Sequence, residues 1–117
     1  MSEDINFEDY TSSHCGIELT LSVMGGKWKP LILWFLIKKG TKRYGEIRRF
    51  IPTVTNKMLS QQLKELVNDG LVSRKDYKQI PPKVDYSITD KGKSLQPVLD
   101  FMCIWGLEQT KTFNKVK

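Results

Sequence analysis

The chain has 117 residues, of which 39% are hydrophobic and 27% are charged, and its formal net charge is +6. This length provides one domain with one modest core, and the composition is that of a globular protein. The longest apolar run, residues 30 to 37, falls short of the roughly 18 residues that span a bilayer, so we expect a buried helix there and no membrane segment.

The first twelve residues are acidic and contain one Phe and one Tyr, and we expect residues 1–12 to form a flexible N-terminal arm. They lack the basic-then-apolar order of a signal peptide. Cys15 and Cys103 lie far apart in the sequence, so no disulfide framework is indicated. We therefore expect a protein of the reducing cytoplasm.

Positive charge is concentrated in one part of the chain. Residues 1 to 26 contain five acidic residues and no Lys or Arg, whereas residues 27 to 49 contain eight cations and one acid. A basic block inside an ordered region indicates a polyanionic partner. A basic surface that meets only water explains the same composition, so charge alone leaves both interpretations open.

Two helices are predicted before residue 41. "GIELTLSVMGG" indicates a short helix with Ile17, Leu21 and Met24 on one side, and its Gly-Gly pair ends it. "KWKPLILWFLIKKG" predicts a second helix. Pro30 fits only its first turn, where no N–H donor is required, and Gly40 ends it.

A pair of short helices is predicted next. After a short bridge, "TKR", the segment "YGEIRRFIP" predicts a helix of about two turns with Tyr44, Ile47 and Phe50 facing inward. "TVT" makes the turn, and the hydroxyl of Thr55 is suited to cap the following helix. Gly70 is suited to the position just beyond its C-terminus.

The second helix of this pair is amphipathic. Its leucines recur at spacings of four and three, at Leu59, Leu63 and Leu66. Its opposite side carries short or amide side chains with added cations, where a face that meets only water would favour long Glu and Lys side chains. The residues of this polar face are Asn56, Lys57, Ser60, Gln61 and Lys64.

The hydrophobic period then changes from 3.6 to 2. "LVSRKDY" and "KVDYSI" are predicted strands, and in the second Val84, Tyr86 and Ile88 alternate with polar residues. The intervening "KQIPP" is expected to be an exposed loop, because two adjacent prolines cannot extend a central strand.

A last helix is expected to begin after Thr89, which caps it, and to carry a largely apolar sequence. Pro97 lies inside this segment and is expected to bend the helix or to split it near Lys93.

The order of elements predicts a mainly α protein with a small β-hairpin, an α+β winged helix-turn-helix. Two consecutive short helices followed by a two-stranded hairpin define this arrangement. The domain is expected to cover residues 13–112 and to be followed by a tail, residues 113–117. We expect the recognition helix at about 55–69 and the wing at about 77–84.

A helix with this polar face fits the major groove of B-DNA. Asn and Gln can pair bidentately with adenine, Lys can contact guanine, and helix-turn-helix proteins present the N-terminal part of the second helix to the bases. The candidates for base contacts are Thr55, Asn56, Lys57, Ser60, Gln61 and Lys64. The candidates for contacts to the phosphate backbone, or to the minor groove from the wing, are Lys27, Lys29, Lys42, Arg43, Arg48, Arg49, Lys78 and Lys83.

Three segments in the same order, "GGKWKPLILWFL", "YGEIRRFIPTVTNKMLSQQLKELVNDGLV" and "PPKVDYSITDKGKSL", resemble the HxlR-type helix-turn-helix regulators, a bacterial branch close to the MarR-like proteins. The resemblance covers about residues 15 to 107. It implies a homodimeric, cytoplasmic transcription regulator, a repressor or an activator, that binds a pseudo-palindromic operator in double-stranded DNA. It also implies dimerisation through the terminal helices, for which the candidates are Ile17, Leu21, Leu95, Leu99, Met102 and Trp105.

The resemblance also directs attention to Cys15, because members of this family carry a cysteine just before the first helix and in some relatives it senses oxidants or electrophiles. A thiol near a helix N-terminus ionises more readily, which favours such a role. A packed, inert cysteine is the alternative. Cys103, which lies between Met102 and Ile104, is expected in the core.

Other function classes have less support in the sequence. No catalytic constellation or phosphate-binding glycine motif is present, so we expect no enzyme and no cofactor. A metal-responsive regulator would have to use His14, Cys15 and Cys103, which lack a metal-ligand spacing. A protein-binding winged helix is a further alternative. A small-molecule effector would need a pocket, which the aromatic residues Trp28, Trp34, Phe35, Phe101 and Trp105 are suited to line. Aromatic residues at helical spacing are more often part of a simple core, which is the alternative.

Overall fold

The computed structural model of the protein describes residues 16–113. In chain order, this part forms the helices α1 (Ile17–Met24), α2 (Lys29–Lys39), α3 (Tyr44–Phe50) and α4 (Asn56–Asn68), the strands β1 (Val72–Asp76) and β2 (Val84–Ile88), and the helices α5 (Asp90–Lys93) and α6 (Gln96–Phe113). This mainly helical chain with one hairpin confirms the predicted fold class. The predicted arm, residues 1–12, lies outside the described residues, as do residues 13–15 and the tail beyond residue 113.

The ends of α2 follow from its sequence. Pro30 occupies the first turn, where its missing N–H costs no hydrogen bond. Gly40 has a φ of 85°, and its N–H donates to the carbonyl of Leu36 at 3.0 Å. A residue with a Cβ would be strained at that φ, so glycine ends the helix there.

The pair α3 and α4 forms the helix-turn-helix. The backbone N–H of Arg43 donates to the Glu46 carboxylate at 2.9 Å at the start of α3. The Thr55 hydroxyl accepts from the N–H of Met58 at 3.0 Å, which confirms the predicted cap of α4. Both helices therefore begin at defined residues, and the turn between them is short.

The core lies where α2 meets the helix-turn-helix. Its most deeply buried side chains are aliphatic: Ile32, Leu33 and Leu36 of α2, Ile47 of α3, and Leu59, Leu63 and Leu66 of α4. Burying each of them favours folding by about 1.5–3 kcal/mol relative to exposure. Because the three leucines of α4 face this core, the polar side of α4 faces outward.

The two strands are antiparallel, with Val72 opposite Ile88 and Asp76 opposite Val84. In the connecting segment "TKR", Lys42 forms one isolated bridge with Tyr86, and the two residues exchange backbone hydrogen bonds of 2.9 and 2.8 Å. This bridge fixes the hairpin to the residues just before α3, and so sets the position of the wing relative to the helix-turn-helix.

The expected alternation of burial along β2 is wrong, because all five of its residues are half-buried. Tyr86 and Ile88 pack against the core. On the other face, the Ser87 hydroxyl lies 2.7 Å from that of Thr41, and Asp85 accepts a hydrogen bond from Tyr77. Side chains of neighbouring segments thus cover the polar face as well.

The last helical segment is split, as predicted. α5 ends at Lys93, and α6 begins at Gln96 with Pro97 in its first turn. The Thr89 hydroxyl accepts from the N–H of Gly92 at 3.0 Å, which confirms Thr89 as the cap of α5. Among residues 16–113, no helix is both long and apolar enough to cross a membrane.

Candidate nucleic-acid interface

The polar face of α4 is accessible to a partner. Asn56, Lys57, Ser60, Gln61 and Lys64 are all exposed, on the side opposite the buried leucines. Thr55 is exposed too, although its hydroxyl is engaged as the helix cap. The structure thus brings the six candidate base-contacting residues to one surface, and their contact with DNA stays a prediction.

Tyr44 of α3 lies against the start of this face. Its hydroxyl is 2.9 Å from Asn56 Oδ1 and 3.1 Å from the Asn56 carbonyl oxygen, and it accepts a long hydrogen bond of 3.4 Å from Ser60. An amide whose oxygen is engaged in this way keeps its two N–H groups as donors for a further partner. The sequence predicted Tyr44 only as an inward-facing side chain, and its role in orienting Asn56 was missed.

Gln61 is tied to an ion pair in which the lysine is buried and the glutamate is half-exposed. Its Nε2 donates to Glu65 Oε2 at 2.7 Å, and Glu65 Oε1 lies 2.6 Å from Nζ of Lys29. The hydrogen bond from Gln61, followed by the interaction with Lys29, lowers the pKa of the Glu65 carboxyl below its usual value. Lys29 is only 7% exposed, so its assignment as a phosphate contact is wrong.

The remaining cations of the basic block differ in their surroundings. Arg48 is half-buried and donates through Nε to the Val54 carbonyl at 3.1 Å, which ties α3 to the turn. The Nε of Arg43 lies 3.9 Å from Asp85 Oδ1, whereas Arg49 is exposed on α3. Lys27 is exposed with its ammonium group 4.8 Å from the ring centroid of Trp28.

The Lys42 ammonium group lies 5.8 Å from the centroid of the Phe35 ring. Its backbone forms the bridge to β2, so Lys42 joins the start of α3 to the hairpin. In contrast, Lys38, which we did not assign to the interface, is paired with Asp100 of α6 at 3.0 Å.

The base of the wing is organised around Tyr77. The ammonium groups of Lys75 and Lys83 lie 4.7 and 4.3 Å from the centroid of its ring, within the range of cation–π attraction. Its hydroxyl donates to Asp85 at 2.8 Å, and this hydrogen bond raises the pKa of Tyr77. The N–H of Lys78, which is exposed, donates to the Asp76 carboxylate at 2.9 Å. The contacts of Tyr77 therefore hold the ammonium groups of Lys75 and Lys83 at the base of the wing.

A groove of about 270 Å³ separates α4 from the hairpin. Its lining includes Tyr44, Ser60 and Lys64 on the helical side and Arg74 and Tyr86 on the strands. Arg74 was missed as a candidate, because strand alternation places it on the same side as the buried Val72. Its exposed cation beside Lys64 adds to the positive charge at this edge of α4.

The terminal helices carry an exposed apolar surface. On α1, Ile17 and Leu21 are exposed, and on α6 so are Met102 and Trp105, with Phe101 reaching 72% exposure. The other exposed apolar residues on these helices are Leu19, Val98, Ile104 and Leu107. So large an apolar surface is typical of a protein interface.

Two of the six residues predicted for the dimer interface, Leu99 and Leu95, do not belong to this exposed surface. Leu99 is 3% exposed and belongs to the core of its own chain, so its assignment to the interface is wrong. Leu95 is half-buried and packs against that core. α6 is apolar on more than one side. One side contacts α2, while on the other Phe101 and Met102 stay exposed among the described residues.

Of the two cysteines, only Cys103 belongs to the described residues. Cys15 lies outside the described residues, as does His14. Cys103 is exposed on α6, and the expectation that it lies in the core is wrong. Within the described part of the chain, no cluster of three or more His, Cys, Asp and Glu side chains is suited to hold a metal.

The five aromatic residues suited to line an effector pocket do not meet in one pocket. A largely apolar groove of about 450 Å³ is lined by Trp34 of α2, Phe50 of α3, and Met102 and Cys103 of α6, among others. Phe35 instead stacks on Phe50, with their ring centroids 4.2 Å apart. Phe50, expected to face inward, is partly exposed. Phe101 and Trp105 lie together on the outer side of α6, and Trp28 packs against the core.

Comparison with known proteins agrees with this arrangement. The profile of the HxlR-like helix-turn-helix family matches residues 23–113. The uncharacterized HTH-type transcriptional regulator YkvN of Bacillus subtilis is 56% identical over 92 residues, which cover 79% of this chain and 77% of YkvN. The redox regulator HypR in its reduced form has a TM-score of 0.79 and 43% identity, and the match covers 86% of this chain and 98% of that chain. Quinone-bound YodB from B. subtilis has a TM-score of 0.64 and 37% identity, over 79% of this chain and 96% of that chain.

Proposed function

The chain belongs to the HxlR-like helix-turn-helix family, whose named relatives are transcriptional regulators, and from this premise we propose that it binds double-stranded DNA sequence-specifically as a homodimer. α4 enters the major groove, and the wing contacts the backbone or the adjacent minor groove. A regulator of this kind acts where the chromosome is, so we propose a cytoplasmic location.

One observation carries the proposal of DNA binding: α4 buries its leucines and exposes a continuous face of amide, hydroxyl and ammonium groups. Such groups match the donors and acceptors of base edges in the major groove. The N-terminus of the helix adds the positive end of its dipole, which favours nearby phosphates. A face for water alone needs neither the amides nor the tyrosine that orients Asn56.

The elements next to α4 in the winged helix-turn-helix carry further cations, which we propose contact phosphates. Lys42 and Arg49 come from the segment around α3, Arg74 from β1, and Lys78 and Lys83 from the wing. Contacts of this kind fix the position of the protein on the duplex without selecting a sequence. They would account for salt-dependent affinity, and α4 would account for sequence preference.

The exposed apolar residues of α1 and α6 support a second copy of the chain as the partner. An 18-residue helix, α6, uses one side for its own core and leaves Phe101, at 72% exposure, and Trp105, at 60%, on the other. A two-fold axis at this surface would bury the apolar residues of both copies against each other. It would also place the two recognition helices on one face of the dimer. Half-sites about 34–36 Å apart follow from the helical repeat of B-DNA.

The test is binding to duplexes recovered by selection from a random library, measured by fluorescence anisotropy at two salt concentrations. We expect a twofold-symmetric preferred sequence and weaker, strongly salt-dependent binding to unrelated duplexes. Gln61→Ala should reduce the preference, while Lys39→Ala, at the C-terminal end of α2, should leave it unchanged. Absence of duplex binding at low salt, or equal binding to all sequences, would refute the proposal and would favour a protein-binding winged helix.

We further propose that an oxidant or electrophile regulates DNA binding through Cys15. Support comes from the names of two structural neighbours, the redox regulator HypR and the quinone-bound YodB. Cys15→Ser should preserve DNA binding under reducing conditions and abolish the loss of binding after treatment with diamide or a quinone. Cys103→Ser is the matched control, because Cys103 is the second cysteine of the chain and its thiol is exposed in the single protomer. A response that survives in Cys15→Ser and disappears in Cys103→Ser would assign sensing to Cys103 instead.

A further inference from the structure

The amide of Gln61 can adopt only one of its two orientations. One end of a glutamine amide donates and the other accepts, and a rotation of half a turn exchanges them. Gln61 directs Nε2 toward Glu65, whose ionised carboxylate accepts hydrogen bonds and donates none. The flipped amide would place two acceptor oxygens against each other. The orientation of Gln61 therefore follows from the charge on Glu65.

Glu65 is held in turn by Lys29. The Nζ of Lys29 lies 2.6 Å from the second carboxylate oxygen, and the side chain of Lys29 is buried at the start of α2. A hydrogen bond between exposed residues four apart on a helix is usually labile. Here the acceptor is anchored to a different helix, since a buried ammonium group cannot leave its counter-ion without a large desolvation cost. The core of the domain thereby fixes a side chain on its outer surface.

We propose that Glu65 and Lys29 are positioning residues that set Gln61 to recognise adenine. This inference rests on the proposed binding of α4 in the major groove. With one N–H donated to Glu65, Gln61 retains one N–H and its Oε1, which match N7 and the N6 amino group of adenine. Guanine presents two acceptors, N7 and O6, at the same positions, so Oε1 of Gln61 would face another acceptor. The proposal assigns specificity to two residues that need not touch DNA.

The test separates positioning from stability. Glu65→Ala alone would leave the buried Lys29 ammonium unpaired and risks unfolding the domain. The double variant Lys29→Met/Glu65→Leu removes both charges, keeps the net charge of the protein and fills the site with apolar side chains of similar size. The variants to compare are wild type, Gln61→Ala, the double variant and the triple variant, all first checked for folding by circular dichroism.

The readout is the preference at each operator position, obtained by sequencing libraries selected by each variant. Wild type should show one position per half-site where adenine is preferred by ~5- to ~150-fold, the range of a good bidentate contact. Both Gln61→Ala and the double variant should reduce this preference to less than about threefold while leaving affinity for unrelated duplexes within about twofold. The triple variant should match Gln61→Ala, because the two charges act only through Gln61.

A folded double variant that keeps the full adenine preference would overturn the inference, and so would a preference that survives Gln61→Ala. A wild-type protein that selects no sequence would instead overturn the proposed function. Replacing the selected adenine by 7-deazaadenine gives an independent check. Loss of N7 should weaken binding of wild type and leave Gln61→Ala unaffected, and equal weakening of both would contradict the assigned orientation.

Discussion

Tyr44→Phe should loosen the recognition helix without disturbing the core. The substitution removes one hydroxyl and keeps the ring, which packs against the core. The hydroxyl proton can serve only one of the two Asn56 oxygens at a time, and the bond from Ser60 is long at 3.4 Å, so one good hydrogen bond is lost. A bond of this kind is worth about 1 kcal/mol net, within a range of roughly 0.5–1.5.

This loss translates into measurable quantities. For 117 residues, an unfolding entropy of roughly 2.1 cal/mol/K per residue gives about 0.25 kcal/mol/K, so a loss of about 1 kcal/mol lowers Tm by ~4 °C. If the same free energy serves to hold Asn56 in its binding orientation, operator affinity should fall by roughly 2- to 13-fold. Affinity for unrelated duplexes should not change, because Asn56 is expected to contact bases.

The assays are differential scanning calorimetry at equal protomer concentration and anisotropy titration with operator and scrambled duplexes. Tyr86→Phe is the matched control, since the Tyr86 ring borders the same groove and its hydroxyl makes no hydrogen bond within residues 16–113. Equal effects of the two substitutions on Tm and on operator affinity would show that the Tyr44 hydroxyl does not position the helix, and would refute the reasoning.

Three further predictions concern the cations, the terminal helices and Glu65. Arg49→Ala should reduce the slope of log K against log salt by about 0.9 if it neutralises one phosphate, while Lys39→Ala should leave the slope unchanged; a loss confined to one sequence would move Arg49 to base contacts. Phe101→Glu should produce monomers in sedimentation velocity, because a charge would be buried in the proposed dimer contact; an unchanged dimer would place the interface elsewhere. The folded-state pKa of Glu65 is lowered from 4.5, so its charge stabilises the fold above that pH, and this contribution is lost as pH falls through the lowered value. In urea titrations, the free energy of unfolding of Glu65→Gln should therefore fall less steeply than that of wild type below about pH 4.5. An equal fall in both proteins would contradict the pairing.

The helix-turn-helix was predictable from local rules. The leucine spacing of α4, the cap at Thr55 and the stops at Gly40 and Gly70 depend on residues close in sequence, and each is confirmed. Hydrophobic periodicity determines which side of a helix faces inward, so it also identified the outward side of α4. The split near Pro97 follows from the same local chemistry.

The partners of polar groups were less predictable. Lys29 was assigned to the basic block on charge alone, yet it pairs with Glu65, which lies 36 positions further along the chain. Nothing in the local sequence distinguishes it from Lys27, two residues earlier and exposed. Which of two neighbouring lysines becomes buried depends on how α2 crosses α4, and this crossing follows from packing of the whole core.

α6 shows a second limit of periodicity. Leu99, Met102, Cys103 and Trp105 are all apolar or weakly polar, so the pattern indicates a buried helix without specifying which side faces the chain's own core. The structure resolves this: Leu99 is buried and Cys103 is exposed. α6 has two apolar sides, and residues 16–113 cover only one of them. The dimer proposal thus rests on the same feature that made the assignment of Leu99 and Cys103 wrong.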